Sequence, residues 1–407
     1  MLVLEYAVLA IGLFGVFKLV ARADGFVRRT GRTGQADVPL PHLAARLQPA
    51  DGALKVGVVG DTGPGDRGTR FVIAGVSPGL AVVRAQGAGR LPEPAPSTGD
   101  PMIDGSFVVG GDPALVHALL DVDTRRLLQR AAGTMEPGAA VVERGTLTVT
   151  VGLSHRLDAK AVLRRGREAV ALGRRLLQPD DVPRRLSENA HHDPLAGVRL
   201  CAALAMGTEG NDVLLALAGD AAAGLATATA AIGALGKAAP FDVVVEVLRR
   251  AVGPRPVDGP ADVQATGACL AALATLGGAG AISRLEDVLL TVPPAADDAA
   301  RALARIGGAA AEEALIAGLA SDRSECRLAV VPVLAEMGTV AAVAPLMDAQ
   351  RHGGDLRSRA RWAITRIQSR LTGEAGAVSL ADGEGGQLTL APDAAGEVSL
   401  GPDRAKG

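Results

Sequence analysis

Hydrophobic positions change their spacing along the chain, and each change marks a different kind of element. Leu2 to Val20 is almost wholly apolar. A helix of this length spans about 28 Å, close to the hydrocarbon thickness of a bilayer. Glu5 and Lys18 lie near its two ends, where each can reach the interface, and Tyr6 suits an interfacial position. Residues 1–23 therefore read as a transmembrane anchor. Arg22, Arg28, Arg29 and Arg32 follow the segment and no basic residue precedes it, which places the N-terminus outside and the body in the cytoplasm: a single-pass membrane protein. A cleaved signal peptide is the rival reading, since Ala21-Arg22-Ala23 resembles a cleavage site, but the basic stretch that should open such a peptide is missing. A buried helix of a soluble protein is the third.

From residue 36 to about 178 the apolar runs shorten. Leu54 to Val59, Phe71 to Ala74, Leu80 to Val83 and Phe107 to Val109 read as strands between Gly/Pro turns, with a loop at Pro92, Pro94, Pro96 and Ser97. Asp112-Pro113 can cap a helix reaching about Ala131. Val141 to Glu143 and Thr146 to Val151 form a hairpin about Arg144-Gly145, with Leu147, Val149 and Val151 on one face and the threonines on the other. A helix from about Asp158 to Leu177 closes the stretch. Its apolar side is Ala159, Val162, Ala169, Val170 and Leu176; its outer side carries Lys160, Arg164, Arg165, Arg167, Arg174 and Arg175. The pattern predicts a small α+β domain with helices on one face of a sheet.

From residue 187 to 372 one unit recurs. Ala231-Ile232-Gly233-Ala234-Leu235-Gly236 is echoed by residues 272–277, 302–307 and 333–338, after an imperfect copy ending at Met206-Gly207. Gly207, Gly236, Gly277, Gly307 and Gly338 each suit a helix C-cap with positive φ. A second apolar helix follows each glycine: Val213 to Leu217, Phe241 to Leu248, Ile282 to Leu290, Glu312 to Leu319 and Val340 to Met347. Two-helix units of this size cannot bury their apolar faces alone, so they stack. Asp193-Pro194 is placed to start the first unit, with Asp193 as the cap. The last helix, Leu356 to Leu371, carries Arg357, Arg359, Arg361, Arg366 and Arg370, as a soluble terminal cap requires. The acidic, Gly-rich tail, 373–407, repeats Val378-Ser379-Leu380, Leu388-Thr389-Leu390 and Val398-Ser399-Leu400; it is either a small meander or a disordered segment offering three docking motifs.

Two resemblances follow from these residues. The recurring small-residue helix pairs resemble HEAT-like repeats of the phycobilisome-lyase type, which implies an all-α solenoid. Thr98-Gly99-Asp100-Pro101, Asp104, Phe107-Val108-Val109 and Gly111-Asp112-Pro113 resemble a TGDP-x-x-D-x-x-FVV-x-GDP signature of uncharacterised bacterial proteins, many with N-terminal membrane segments. The chain departs from it at Gly105-Ser106. That resemblance implies a fold and a membrane context and carries no activity.

Composition narrows the chemistry. The formal net charge is −2 and aromatics make up 2% of the chain, so no global basic field recruits nucleic acid and few platforms exist for base stacking. Cys201, Cys269 and Cys326 form no disulfide framework and read as small core residues. Gly63-Pro64-Gly65-Asp66-Arg67-Gly68 matches G-x-G-x-x-G, but a strand rather than a helix follows, so the amides that would hold a phosphate are missing. His191-His192-Asp193 looks like ligand material, yet no fourth ligand is indicated nearby. His42, His117, His155 and His352 are scattered. The arginine-rich helix 158–177 either lies on anionic headgroups or is a solvated face.

No catalytic, cofactor-binding or metal-binding residue is assigned on this basis, and neither a small-molecule substrate nor a nucleic acid is expected. The expectation is a non-enzymatic scaffold held at the membrane by its N-terminal helix, binding a protein partner on the concave face of the solenoid. An enzyme of the lyase-like HEAT class, with Asp193, Asp297 and Asp298 as the residues to test, and a HEAT-like protein gripping a nucleic-acid backbone are the alternatives.

Overall fold

The computed structural model describes residues 40–60, 68–84, 97–133, 140–152, 159–253 and 262–373. The anchor expected at 1–23, most of the G-x-G-x-x-G stretch, His155 and the tail beyond Gly373 lie outside the described residues. The chain divides after Leu217 into two compact units. Its described part is mostly helical with one small antiparallel sheet.

In the first unit, α1 (Leu40–Leu47) leads into β1 (Lys55–Gly60), β2 (Gly68–Ala74) and β3 (Leu80–Arg84). A short helix α2 (Pro101–Asp104), β4 (Phe107–Gly111), α3 (Pro113–Leu119) and α4 (Val122–Gly133) follow, then the hairpin β5 (Ala140–Glu143) and β6 (Thr146–Gly152). The long α5 (Ala159–Arg175) precedes α6 (Val182–His192) and α7 (Ala196–Met206). The six strands pair in the order β1-β2-β6-β5-β3-β4, every pair antiparallel.

The sheet is covered on one face. Val58 lies opposite Phe71, Phe71 opposite Val149 and Val149 opposite Ala140, while Val82 stands between Val142 and Val109. These residues are buried, and their alternate neighbours, Val72, Val83, Val108, Val141, Thr148 and Thr150, are half-buried. A strand's side-chain period of two puts the two sets on opposite faces. Each large apolar side chain so buried contributes about 1.5–3 kcal/mol.

α5 lies against this face unusually closely. A Cβ at Gly166 would come within 2.8 Å of the Phe71 ring, and one at Gly173 within 2.9 Å of Ile73. Two glycines inside a helix each cost about 1 kcal/mol in helix propensity; close packing of α5 on the sheet explains them. The hairpin turn is where it was expected, with Arg144 and Gly145 both at positive φ.

The helix expected from Asp112 to about Ala131 is two helices. Asp112 does cap α3, accepting from Leu115 N at 3.1 Å. Asp121 then caps α4, accepting from Thr124 N at 2.8 Å. A second capping aspartate inside the apolar run stops one helix and starts the next. α6 and α7 both pack against α3, so the first unit carries these two helices in addition to the stretch 36–178.

One described segment, Ala196–Gly219, is long and apolar enough to cross a membrane by length and composition. It is not one rod: Gly207, at φ 63°, ends α7, and a 3-10 turn over Gly207–Gly210 separates it from α8 (Asn211–Gly219).

In the second unit the helices alternate between two layers. α9 (Leu225–Leu235), α11 (Val263–Leu276), α13 (Ala296–Ile306), α15 (Ser324–Met337) and α17 (Gly354–Gly373) each touch the next in this series. Between them run α10 (Phe241–Val252), α12 (Gly278–Thr291), α14 (Gly308–Leu319) and α16 (Val340–Ala349). α12 touches α14, and α14 touches α16. The core between the layers is built from small and branched side chains such as Ala231, Val244, Leu273, Leu285, Leu303, Leu315, Val330 and Leu346, all buried.

Gly236, Gly277 and Gly307 end their helices at positive φ, as expected. Gly338 does not: its φ is −62°. There the absence of a side chain is a matter of space. A Cβ would meet the Leu334 carbonyl oxygen at 2.5 Å and Ile367 at 3.2 Å.

Candidate functional site

His191-His192-Asp193 lies at the end of α6, not at the start of a helix. Asp193 is buried and its backbone N–H donates to Asn189 O, closing α6. The cap role expected of Asp193 therefore reduces to one local bond, accepted from Leu195 N at 2.9 Å. Its carboxylate is turned inward instead. Arg125 of α4 donates to both oxygens, Nη1 to Oδ2 at 2.8 Å and Nη2 to Oδ1 at 2.9 Å.

The same guanidinium joins the other motif. Arg125 Nε donates to Asp100 Oδ2 at 2.9 Å, and Nη1 also donates to Leu120 O at 2.7 Å. Asp100 Oδ1 meanwhile accepts from Met102 N at 2.9 Å, capping α2. Asp104 accepts from Thr98 N, Thr98 Oγ1 and Ser97 Oγ. The backbones close in beside these bonds: a Cβ on Gly99 would lie 2.2 Å from Gly197 O, and one on Gly197 2.4 Å from Gly99 O. Thr98 and Asp100 of this stretch are thus engaged inside the protein, while Asp104 bonds at its surface. Arg125, 2% exposed, clasps that stretch to the α6–α7 turn. A bidentate Arg–carboxylate pair with a second carboxylate and a carbonyl is a strong way to satisfy buried charge. It is a fastening, closed to substrate. Sequence reading singled out both aspartates and missed Arg125, because the link spans 68 positions.

The remaining polar candidates separate. His191 Nδ1 lies 2.8 Å from Ser187 O and Nε2 lies 3.2 Å from Asp212 Oδ2. The Ser187 carbonyl first, and the Asp212 carboxylate next, raise its pKa above the ordinary value. The pair sits at the surface, and His192 beside it is exposed. Among the described residues no group of three or more His, Cys, Asp and Glu is arranged to hold a metal ion. His117 is buried on α3, and desolvation lowers its pKa from 6.5 to about 4 against a weaker opposing influence of Asp104. His42 and His352 are exposed.

The cysteines are packing residues. Burial pushes the Cys269 thiol up to about 12, so no thiolate forms near neutrality. Cys326 Sγ donates to Leu289 O at 2.8 Å, and Cys201 is half-buried with its pKa raised chiefly by burial. Asp298 stands beside Asp297 in the first turn of α13 and accepts from Arg301 at 2.7 Å.

The layer α10, α12, α14 and α16 carries more exposed acidic than basic side chains. It exposes Asp242, Glu246, Asp287, Glu313 and Asp348, and its basic residues are Arg249, Arg250 and Arg284. Phe241 and Met347 are exposed at its two ends, at 38% and 44%. The layer is pinned from within. Glu312, 6% exposed on α14, accepts from Thr339 N at 2.6 Å and from Thr339 Oγ1 at 2.9 Å. Thr339 in turn caps α16, accepting from Ala341 N. In the other layer Arg370 of α17 donates to the carbonyls of Ala335, Glu336 and Gly338, closing the end of α15. Arg357, Arg359, Arg361 and Arg366 are exposed along α17. No protein-family model matches this chain, and a search of curated proteins finds no match.

Proposed function

We propose that the chain is a membrane-anchored scaffold whose second unit is a HEAT-like α-solenoid that binds a protein partner. The partner seats on the layer α10, α12, α14 and α16, taken as the concave face. The observation that carries the reading is the packing of the second unit: α9, α11, α13, α15 and α17 each meet the next in that series, α12 meets α14 and α14 meets α16, so successive helix pairs bury their apolar faces against one another. Such an array presents an extended surface to a partner. The excess of carboxylates on that layer favours a partner with a basic face over a phosphate backbone, and Met347 supplies an exposed apolar anchor.

The reading is tested by crosslinking in cells with full-length protein and three variants. Met347→Asp and Glu313→Arg alter the proposed layer; Trp362→Ser alters an exposed side chain on α17 in the other layer. The expected result is a discrete crosslinked protein whose yield falls by about tenfold in the first two variants, roughly 1.4 kcal/mol of affinity, with Tm unchanged and with Trp362→Ser like the parent. No discrete partner, or equal loss in all three, overturns it.

A further inference from the structure

We propose that a cleft in the first unit, between the end of α1, the second half of α5 and Arg185 of α6, binds a phosphate-bearing anion. The cleft has a volume of about 770 Å³, the size of a small-molecule site. Arg46, Arg167, Arg174, Arg175 and Arg185 line it, and among the described residues no acidic one does. The inference stands apart from the scaffold reading and needs no part of the second unit.

Three elements converge to make this site, which is why the arginine pattern of α5 alone did not reveal it. Arg167, Val170, Ala171, Arg174 and Arg175 recur at helical spacing and form one stripe along α5. Arg46 comes from the last turn of α1 and Arg185 from α6. The wall is rigid. Gln48 donates to Leu54 O at 2.5 Å and accepts from Val56 N at 3.0 Å, tying the end of α1 to β1. Leu47 and Pro49, both buried, are part of the same wall.

Two of the arginines already have partners. Arg174 donates to Asp51 Oδ2 at 3.2 Å, and Arg175 to Asp121 at 2.8 Å and Asp123 at 2.6 Å. These carboxylates hold the two guanidinium groups in place. The guanidinium groups of Arg46, Arg167 and Arg185 have no ion-pair or hydrogen-bonding partner among the described residues. Three unpaired guanidinium groups facing one cleft repel one another and raise the local potential. Their planar forks fit phosphate oxygens two at a time. A diphosphate, or the phosphate of an anionic lipid headgroup, supplies that chemistry.

The test uses full-length protein in detergent micelles for a soluble arm and in vesicles for a lipid arm. The variants are Arg46→Ala, Arg167→Ala and Arg185→Ala, with Arg164→Ala as a control: it is exposed on α5 and does not line the cleft. In the soluble arm, inorganic pyrophosphate is titrated by calorimetry. Each cleft variant should weaken binding about tenfold, the equivalent of one charge-assisted contact, and Arg164→Ala should not. In the lipid arm, association with phosphatidylglycerol vesicles should exceed association with phosphatidylcholine vesicles, and the triple cleft variant should abolish the excess. Pyrophosphate binding with the cleft pattern supports a soluble ligand. A phosphatidylglycerol preference with that pattern, without pyrophosphate binding, supports a headgroup. No binding in either arm, or equal loss in Arg164→Ala, overturns the proposal.

Discussion

Replacing Arg125 by methionine leaves the Asp100 and Asp193 carboxylates buried, at 4% and 7% exposure, without their shared counter-charge. Four hydrogen bonds go with the guanidinium: one to Asp100, two to Asp193 and one to Leu120 O. Breaking a buried ion pair from one side costs about 3–5 kcal/mol, because the partner charge stays behind unpaired. Here Asp100 retains Met102 N and Asp193 retains Leu195 N, so the lower part of that range, about 3–4 kcal/mol, is expected. At a urea m-value of about 2 kcal/mol/M this moves the unfolding midpoint down by about 1.5–2 M. Urea unfolding of the full chain, read by pulse-labelled hydrogen exchange on peptides from α2 to α4 and from α6 to α7, localises the loss. Adding Asp100→Asn and Asp193→Asn to Arg125→Met removes the stranded charges while keeping an acceptor at the α2 cap. This triple variant should recover at least about 2 kcal/mol, a coupling within the range found for touching residues. A loss below about 1 kcal/mol for Arg125→Met, or no recovery in the triple variant, would refute the view of Arg125 as the charge that fastens the two motifs.

The His117 ring, with its pKa lowered from 6.5 to about 4 by burial, gives the first unit an acid sensitivity. Above pH 6.5 the ring is neutral in both folded and unfolded chains; as pH falls from there towards 4 the unfolded chain takes up the proton first, so stability declines by up to about 3 kcal/mol, and His117→Leu should flatten that part of the curve of unfolding free energy against pH. Gly197→Ala should lose more than about 2 kcal/mol in chemical denaturation, since its Cβ would stand 2.4 Å from Gly99 O. Gly233→Ala, on α9 with nothing within 4 Å of the new Cβ, should instead gain up to about 1 kcal/mol, and equal effects at the two glycines would defeat the close-approach argument.

Local pattern was enough to place the strands and most of the repeat helices, but not α1, α2 or α6. The alternation Leu147, Val149, Val151 in β6, the turn at Arg144-Gly145, the cap at Asp112-Pro113 and the glycines that stop α9, α11 and α13 all act over a few residues, and each appears where its chemistry requires. Such signals survive in sequence because helix caps, turns and side-chain periods are properties of neighbouring residues. Where two local signals competed, the later one was missed: Asp121 restarts a helix within an apolar run that reads as continuous. Gly338 shows the same limit differently, since its need for a bare Cα comes from Ile367 on another helix.

What tertiary structure decided is which of the singled-out residues meet. Asp193 reads as a helix cap or a metal ligand from its neighbours, yet its carboxylate belongs to Arg125, and through it to Asp100. Glu312 opens a second apolar helix in the sequence pattern, and packing makes it the acceptor that holds the start of α16. The arginines of α5 read as a solvated stripe or a face for anionic headgroups until α1 and α6 bring Arg46 and Arg185 against them. In each case the deciding quantity is a distance between groups far apart in the chain, and folding sets that distance through packing that no short window of sequence records. Sequence by itself determined the succession of strands and small-residue helix pairs, because these follow from periodicity; the burial and pairing of charge followed only from the assembled units.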